Sequence, residues 1–232
     1  MSAYHSSATL NHQCLTLGEI AICWQHCWCQ HADLEFTKGH NRRSNVLVHN
    51  EANMNRGDTI SDIISNLRIT RLYHMTPAAN EDQIYQHGGL VARVEHPQRG
   101  ITCRYYLSNE LSRQLDSQRH LDRFVHLSFV RKYPMVHDAR YRIGPERIRV
   151  FHINPKVLEL EGVQFTNEVA NSSYSQPYLV QEMNSKLRLN RPPDEEFLSN
   201  PASSLEDLIY PKAQVLVPAF IPLRLVLRIE DL

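Results

Sequence analysis

The 232-residue chain has 25 Lys and Arg against 25 Asp and Glu, so its formal net charge is zero and no overall field attracts it to nucleic acid. Hydrophobic residues make up 42% and charged residues 22%, values typical of a soluble globular protein. No segment reaches the roughly 20 apolar residues of a membrane helix and the start lacks the features of a secretory signal, so we expect a cytoplasmic protein with reduced cysteines and no membrane partner.

Residues 1–53 differ from the rest in their poor hydrophobic alternation and in their many His, Cys, Asn and Trp residues. Four of the five cysteines lie there, three of them in the segment C-W-Q-H-C-W-C-Q-H (23–31). The spacing C-x3-C-x-C does not match the paired knuckles of a zinc site, so we predict no metal. Two interpretations stay open: a poorly ordered extension, or sequence upstream of a true start at Met54. Residues 54–232 are then the functional domain.

Regular patterning begins near Asp58. T-I-S-D-I-I-S-N-L (59–67) predicts a helix with Ser61 or Asp62 near its start. R-I-T-R-L-Y-H-M-T (68–76) predicts a half-buried strand, and A-N-E-D-Q-I-Y-Q-H-G-G-L (79–90) predicts a short helix that ends at Gly88 and Gly89.

Further along the chain the pattern is dominated by strands. Three are predicted at Phe124–Val130, Arg147–Ile153 and Val163–Thr166, and two adjoining ones in the apolar runs of residues 213–229, which Pro218 and Pro222 interrupt. Short mixed strands with few helices and no βαβ rhythm indicate an α+β fold.

Charge is unevenly distributed. Between Arg99 and Arg149 there are ten Arg and one Lys against five acids, whereas residues 191–210 hold one Arg against five acids. A basic middle segment favours a groove for a polyanion such as single-stranded DNA, because phosphate contacts supply most non-specific affinity. The alternative is that these arginines are scattered over exposed surfaces.

Several nucleotide and hydrolase signatures are absent from the sequence: G-x-G-x-x-G, the phosphate loop, the G-x-S-x-G elbow and H-E-x-x-H. A nucleotide site in this chain is therefore built from strands and side chains. The most informative segment is R-L-Y-H-M-T-P-A-A-N-E-D-Q-I-Y-Q-H-G-G-L (71–90). It resembles the opening of the catalytic domain of the DarT family, toxins that modify DNA bases, in which a strand ending in Y-H-x-T is followed by an asparagine and a helix closing with G-G-L.

Three later segments resemble the same family in the same order. They are F-V-H-L-S-F-V-R-K-Y-P-M (124–135), G-V-Q-F-T-N-E-V-A-N-S (162–172) and Y-P-K-A-Q-V-L-V-P-A-F-I-P (210–222). The resemblance implies an ADP-ribosyltransferase-like α+β fold, in which short mixed or antiparallel strands form a split sheet with an NAD-binding cleft. It also implies that NAD⁺ is the substrate, that single-stranded DNA is the acceptor, and that an antitoxin, a macrodomain or similar hydrolase, reverses the modification.

The resemblance also assigns site residues. His74, Thr76 and Asn80 bind NAD⁺, with His74 donating to a ribose hydroxyl. Arg113 binds the cofactor and acts in catalysis, because a guanidinium is planar, permanently charged and bidentate; Arg104 and Arg119 are alternatives. From the residues alone, Thr76 and Asn80 could instead cap a helix, and Arg113 could be an exposed helix charge.

Two departures from the family pattern matter. Glu168 and Val169 stand where Gly and His or Asn are expected, with Asn171 nearby as a possible compensation. Gln214 stands where the family has its catalytic glutamate. A glutamine can bond a ribose hydroxyl but cannot accept a proton, and losing a general base costs about 10²–10⁴ in rate. Gln214 is therefore an inactivating change, the mark of an inactive relative, or evidence that an acid elsewhere, Glu168 or Glu182, does its work. Two further functions stay open: a non-catalytic NAD- or nucleic-acid-binding relative, and an RNA 2′-phosphotransferase.

Overall fold

A computed structural model describes residues 58–143 and 147–232 of the chain. The predictions on residues 1–53, including the Cys and His segment and a start at Met54, lie outside this range. The nine described strands are β1 Leu72–Pro77, β2 Gly89–Val91, β3 Phe124–Ser128, β4 Ile148–Ile153, β5 Gln164–Thr166, β6 Pro177–Leu179, β7 Gln214–Pro218, β8 Phe220–Pro222 and β9 Val226–Asp231. The seven described α-helices are α1 Ile60–Asn66, α2 Glu81–Gln86, α3 His96–Arg99, α4 Glu110–Gln118, α5 Met135–Ile143, α6 Met183–Lys186 and α7 Glu195–Ser199.

Seven of these strands form one sheet in the order β6-β5-β7-β3-β1-β4-β9, and β2 pairs with β8 beside it. Every pairing is antiparallel, so the strands are not mixed in direction. β1 matches β4 along its whole length, but it matches β3 at a single position, Tyr73 opposite Ser128. Towards Pro77 the two central strands therefore separate. The α+β fold with a split sheet, predicted from the family resemblance, is confirmed.

The hydrophobic core covers one face of this sheet. Leu72, Leu127, Phe151, Phe165 and Val215 lie on neighbouring strands and are at most 1% exposed. They share a face because residues directly opposite one another across a ladder point the same way. Ile63 of α1 is fully buried in the same cluster. The α1 helix begins at Ile60, so Ser61 and Asp62 lie near its start as predicted; Thr59 is the N-cap and Asp62 completes a capping box with it.

The C-terminal apolar runs form three strands rather than the two predicted. Ala219 has a left-handed φ of 56° between Pro218 and Phe220, which turns the chain from β7 into β8. β8 then pairs with β2, and β9 crosses to pair with β4. The expectation of few helices is also wrong, because α4 and α5 each span nine residues in the basic middle segment. Among the described residues, no helix has the length and apolar character needed to cross a membrane.

Candidate active site

A cleft opens beside β1, where this strand has separated from β3. It encloses about 410 Å³, including the part open to solvent. The three residues predicted to bind NAD⁺, His74, Thr76 and Asn80, all line it. They come together because two of them project from the same side of β1 and the third begins the next helix. The cleft also contains residues that the sequence did not indicate: Gln83, Ile84, Val91, His96, Ile101 and Cys103.

His74 is held as a neutral ring at the opening between β1 and β3. Its Nδ1 lies 3.1 Å from the main-chain oxygen of His126 on β3, and burial lowers its pKa to about 4. A carbonyl oxygen only accepts, so Nδ1 carries the proton and donates, which leaves Nε2 as an acceptor. Towards a ligand in the cleft, His74 therefore presents an acceptor for a hydroxyl proton, rather than the donor that was expected.

Asn80 is a buried connector in the wall of the cleft. Its Nδ2 donates to the Tyr105 main-chain oxygen at 2.8 Å and to Thr76 Oγ1 at 3.2 Å, while its Oδ1 accepts from the Arg104 main-chain N–H at 3.1 Å. Its side chain makes no capping bond to α2, so the helix-cap interpretation does not hold for Asn80. Its amide instead ties the segment after α3 to Thr76 on β1, which fixes two walls of the cleft relative to each other.

Each residue of the G-G-L motif (88–90) has its own structural role. Gly88 follows α2 with a left-handed φ of 73°, which favours glycine. A Cβ on Gly89 would lie 2.1 Å from the main-chain oxygen of Ile221 on β8, so no larger residue fits there. Leu90 is 2% exposed in the core. The motif therefore fixes β2 against β8 and positions this edge of the cleft.

Gln214 lies outside this cleft, at the start of β7. It is opposite Ser128 of β3, which is itself opposite Tyr73 of β1, so these three side chains share one face of the sheet. His74 follows Tyr73 in the strand and therefore points to the other face. Its Nε2 donates to Tyr133 Oη at 2.7 Å and its Oε1 accepts from the Ala170 main-chain N–H at 3.0 Å. Gln214 is 8% exposed and both ends of its amide are hydrogen-bonded.

Arg113 is not among the cleft residues. Its guanidinium lies over the Tyr106 ring at 4.8 Å, donates to the Ser108 main-chain oxygen at 2.6 Å and pairs with Glu110. Of the two alternatives, Arg104 is adjacent to the cleft through its main-chain bond to Asn80. Arg119 lies elsewhere, where its guanidinium donates to the Ser172 main-chain oxygen.

The two alternative acids occupy different places. Glu168 pairs with Arg188 at 2.7 Å and is close enough to Tyr133 to help raise the pKa of its hydroxyl. Glu182 accepts from the Leu179 main-chain N–H at 3.0 Å and so caps a short 3₁₀ helix. Glu168 is therefore the nearer of the two to the surroundings of Gln214.

Sequence reasoning missed a third acid in these surroundings. Asp116 of α4 accepts a 2.9 Å hydrogen bond from Asn171 Nδ2, and burial raises the pKa of its carboxyl. It also missed a thiol in the cleft, since Cys103 Sγ lies 3.5 Å from His96 Nδ1 and burial raises the pKa of that thiol. Neither residue belongs to a local motif. Their placement depends on contacts between segments distant in sequence.

The family model described as "DarT: ssDNA thymidine ADP-ribosyltransferase" matches residues 73–230. No curated protein matches the chain. Similar solved structures include Thermus sp. 2.9 DarT with ADP-ribosylated ssDNA (17% identity, TM-score 0.48, 69% of this chain and 80% of that one). Thermus sp. 2.9 DarT in complex with NAD⁺ is 20% identical, with a TM-score of 0.46, and the match covers 69% of this chain and 81% of that one. Thermosipho africanus DarTG in complex with ADP-ribose is 17% identical, with a TM-score of 0.48, and the match covers 69% of this chain and 43% of that one.

Proposed function

Because the chain belongs to the DarT family of ssDNA thymidine ADP-ribosyltransferases, we propose that it transfers ADP-ribose from NAD⁺ to a thymidine base in single-stranded DNA. The observation that carries this proposal is the cleft in which His74, Thr76 and Asn80 come together, at the point where the central sheet opens.

The cleft suits the neutral part of NAD⁺. His74 offers an acceptor for a ribose hydroxyl, and Thr76 adds a hydroxyl group beside it. Ile84, Leu90 and Val91 supply apolar surface against which an aromatic ring can lie. For the diphosphate and the charge that develops during transfer, we keep Arg113 as the proposed arginine, with Arg104 as the alternative that borders the cleft.

Gln214 determines how fast the reaction can be. Transfer breaks the bond between nicotinamide and ribose through a cationic sugar, and the acceptor base loses a proton. A carboxylate at position 214 would stabilise that cation and accept the proton. The amide of Gln214, which two hydrogen bonds hold in place, can do neither. We therefore propose that this chain is a slow or inactivated form of the enzyme.

The biological role follows from the same family membership. We propose that the chain is the toxin of a toxin–antitoxin pair in the cytoplasm, and that its partner is a hydrolase, a macrodomain or similar protein, which removes ADP-ribose from DNA. Expression of the Gln214→Glu form should arrest growth, and co-expression of the hydrolase should relieve the arrest. Arrest that the hydrolase leaves unchanged would contradict the pairing.

A second function is favoured by Gln214 itself: a non-catalytic relative that binds NAD⁺ and nucleic acid without transferring the sugar. The two proposals are separated by incubating the unchanged chain and its Gln214→Glu form with NAD⁺ and single-stranded DNA. A transferase gains activity when the carboxylate is restored. A binding module gives no product in either form and still binds NAD⁺.

A further inference from the structure

Among the described residues, half of the arginines in the basic middle segment are paired with Asp or Glu side chains. Of the ten between Arg99 and Arg149, five form ion pairs: Arg99, Arg113, Arg131, Arg147 and Arg149. Within residues 58–143 and 147–232, the other five have no Asp or Glu side chain within ion-pair distance: Arg104, Arg119, Arg123, Arg140 and Arg142. A phosphate track must use cations that acids have not already neutralised, so the segment as a whole is not the track.

Two of these arginines without an Asp or Glu partner lie together just after α4. Arg119, His120 and Arg123 are exposed, and we call them the basic corner. The acid among them, Asp122, is turned inward, since its side chain is 17% exposed and accepts from Ser117 Oγ at 2.8 Å. The corner therefore presents positive charge to solvent.

The basic corner is joined to the surroundings of Gln214 by the loop 167–176. The Ala170 main-chain N–H bonds Gln214 Oε1 at 3.0 Å, and Asn171 Nδ2 bonds Ser112 Oγ of α4 at 2.8 Å. Arg119 Nη1 then bonds the Ser172 main-chain oxygen at 2.6 Å. Three consecutive residues thus fix this loop to Gln214, to α4 and to the corner.

This fixed loop carries an exposed aromatic ring. Tyr174 is 76% exposed. It lies two residues after Ser172, whose main-chain oxygen accepts a hydrogen bond from Arg119. An aromatic side chain in water on an anchored loop, beside cations without acidic partners, is the combination that binds single-stranded nucleic acid. Every base has a π-face that can stack, and the cations contact the backbone.

We propose that Tyr174 and the basic corner form the surface that receives single-stranded DNA, with Tyr174 stacking on a base next to the target and Arg119 and Arg123 contacting phosphates. The inference rests on the proposed function, because it assigns a place for the acceptor of that reaction. It also gives the loop 167–176 a role: a rigid link between the acceptor surface and Gln214.

A second exposed tyrosine gives a matched control. Tyr141 of α5 is 79% exposed and stands between Arg140 and Arg142, which pair with no Asp or Glu among the described residues and donate instead to oxygens of Leu232 and Leu107. Asp138 of the same helix is half-exposed and reduces the positive charge there.

The test is binding of a fluorescent single-stranded oligonucleotide to the full chain, measured by anisotropy at several salt concentrations. Tyr174→Ala should weaken binding about 5- to 150-fold, the range for one lost stacking contact, and leave NAD⁺ affinity unchanged. Arg119→Gln combined with Arg123→Gln should reduce the slope of log affinity against log salt by about 1.4, the value for two phosphate contacts on a single strand. Tyr141→Ala and the Arg140→Gln, Arg142→Gln pair should leave affinity and slope unchanged.

Unaltered binding by Tyr174→Ala, or an equal loss in Tyr141→Ala, overturns the inference. If the unchanged chain and its variants bind DNA alike and Gln214→Glu transfers ADP-ribose, the proposed function stands and only the placement of DNA is wrong. If the unchanged chain neither binds single-stranded DNA nor, as Gln214→Glu, modifies it, both fail.

Discussion

The hydrogen bond between Tyr133 and Gln214 can be removed by deleting a single oxygen atom, with Tyr133→Phe. Tyr133 is 6% and Gln214 8% exposed, and the Oη to Nε2 distance is 2.7 Å. The substitution leaves a buried amide N–H without its acceptor, which costs about 1–3 kcal/mol of the free energy of unfolding. For a domain of this size that corresponds to a fall in Tm of roughly 2–12 °C.

Urea unfolding should show a lower midpoint with an unchanged slope, since the surface exposed on unfolding stays the same. Tyr141→Phe, which removes a hydroxyl from an exposed ring, should change stability by less than about 0.5 kcal/mol. Burial raises the pKa of the Tyr133 hydroxyl, which therefore stays protonated and can donate to a carboxylate at position 214. Tyr133→Phe should then cost more in the Gln214→Glu background, because bonds to a charged acceptor are stronger. Equal stability of Tyr133→Phe and the unchanged chain would refute the described anchoring of Gln214.

Three further results are expected. His74→Ala should weaken NAD⁺ binding by about 1–3 kcal/mol in calorimetry. In the unchanged chain the NAD⁺ affinity should not change between pH 5 and pH 8, because the pKa of His74 is about 4. A change in affinity near pH 6.5 would contradict this. Hydrogen bonds from Arg131 and then His152 lower the pKa of Glu230 from 4.5 to about 2. This carboxylate therefore stabilises the fold above pH 4.5, and its contribution disappears as the pH falls towards 2. Acid unfolding of Glu230→Gln should depend less on pH over that interval than acid unfolding of the unchanged chain, and identical profiles for the two proteins would rule out the role. Deleting residues 1–53, which we propose lie outside the catalytic domain, should leave folding and NAD⁺ binding intact, whereas an insoluble fragment or stoichiometric zinc in the full chain would overturn that boundary.

The elements predicted well are those whose signal is local. β4 and α2 were found from hydrophobic alternation and from the closing glycines, and both lie within a residue or two of the prediction. His74, Thr76 and Asn80 could be grouped because all three lie within one strand, turn and helix start. Their meeting in one cleft needs no long-range information.

The remaining parts depend on contacts between distant segments. The partners of Gln214 are Tyr133 and Ala170, which are 81 and 44 residues away in sequence. Asp116 likewise meets Asn171 across 55 residues. α4 and α5 are nine residues long, shorter than the window over which helical periodicity becomes distinct. The left-handed Ala219 that separates β7 from β8 is not a glycine, so no residue type signalled that turn.

Transfer of ADP-ribose to thymidine can be measured as the mass of defined single-stranded oligonucleotides after incubation with NAD⁺ and either the unchanged chain or its Gln214→Glu form. One set of oligonucleotides contains a single thymidine and the matched set contains none. We expect addition of one ADP-ribosyl group to the thymidine-containing strand, about 10²–10⁴ times faster with Gln214→Glu than with Gln214. Equal rates in both forms would show that the acid lies elsewhere, with Glu168 and Glu182 to be removed next. No product from Gln214→Glu while NAD⁺ still binds, or equal modification of strands without thymidine, would contradict the proposed reaction.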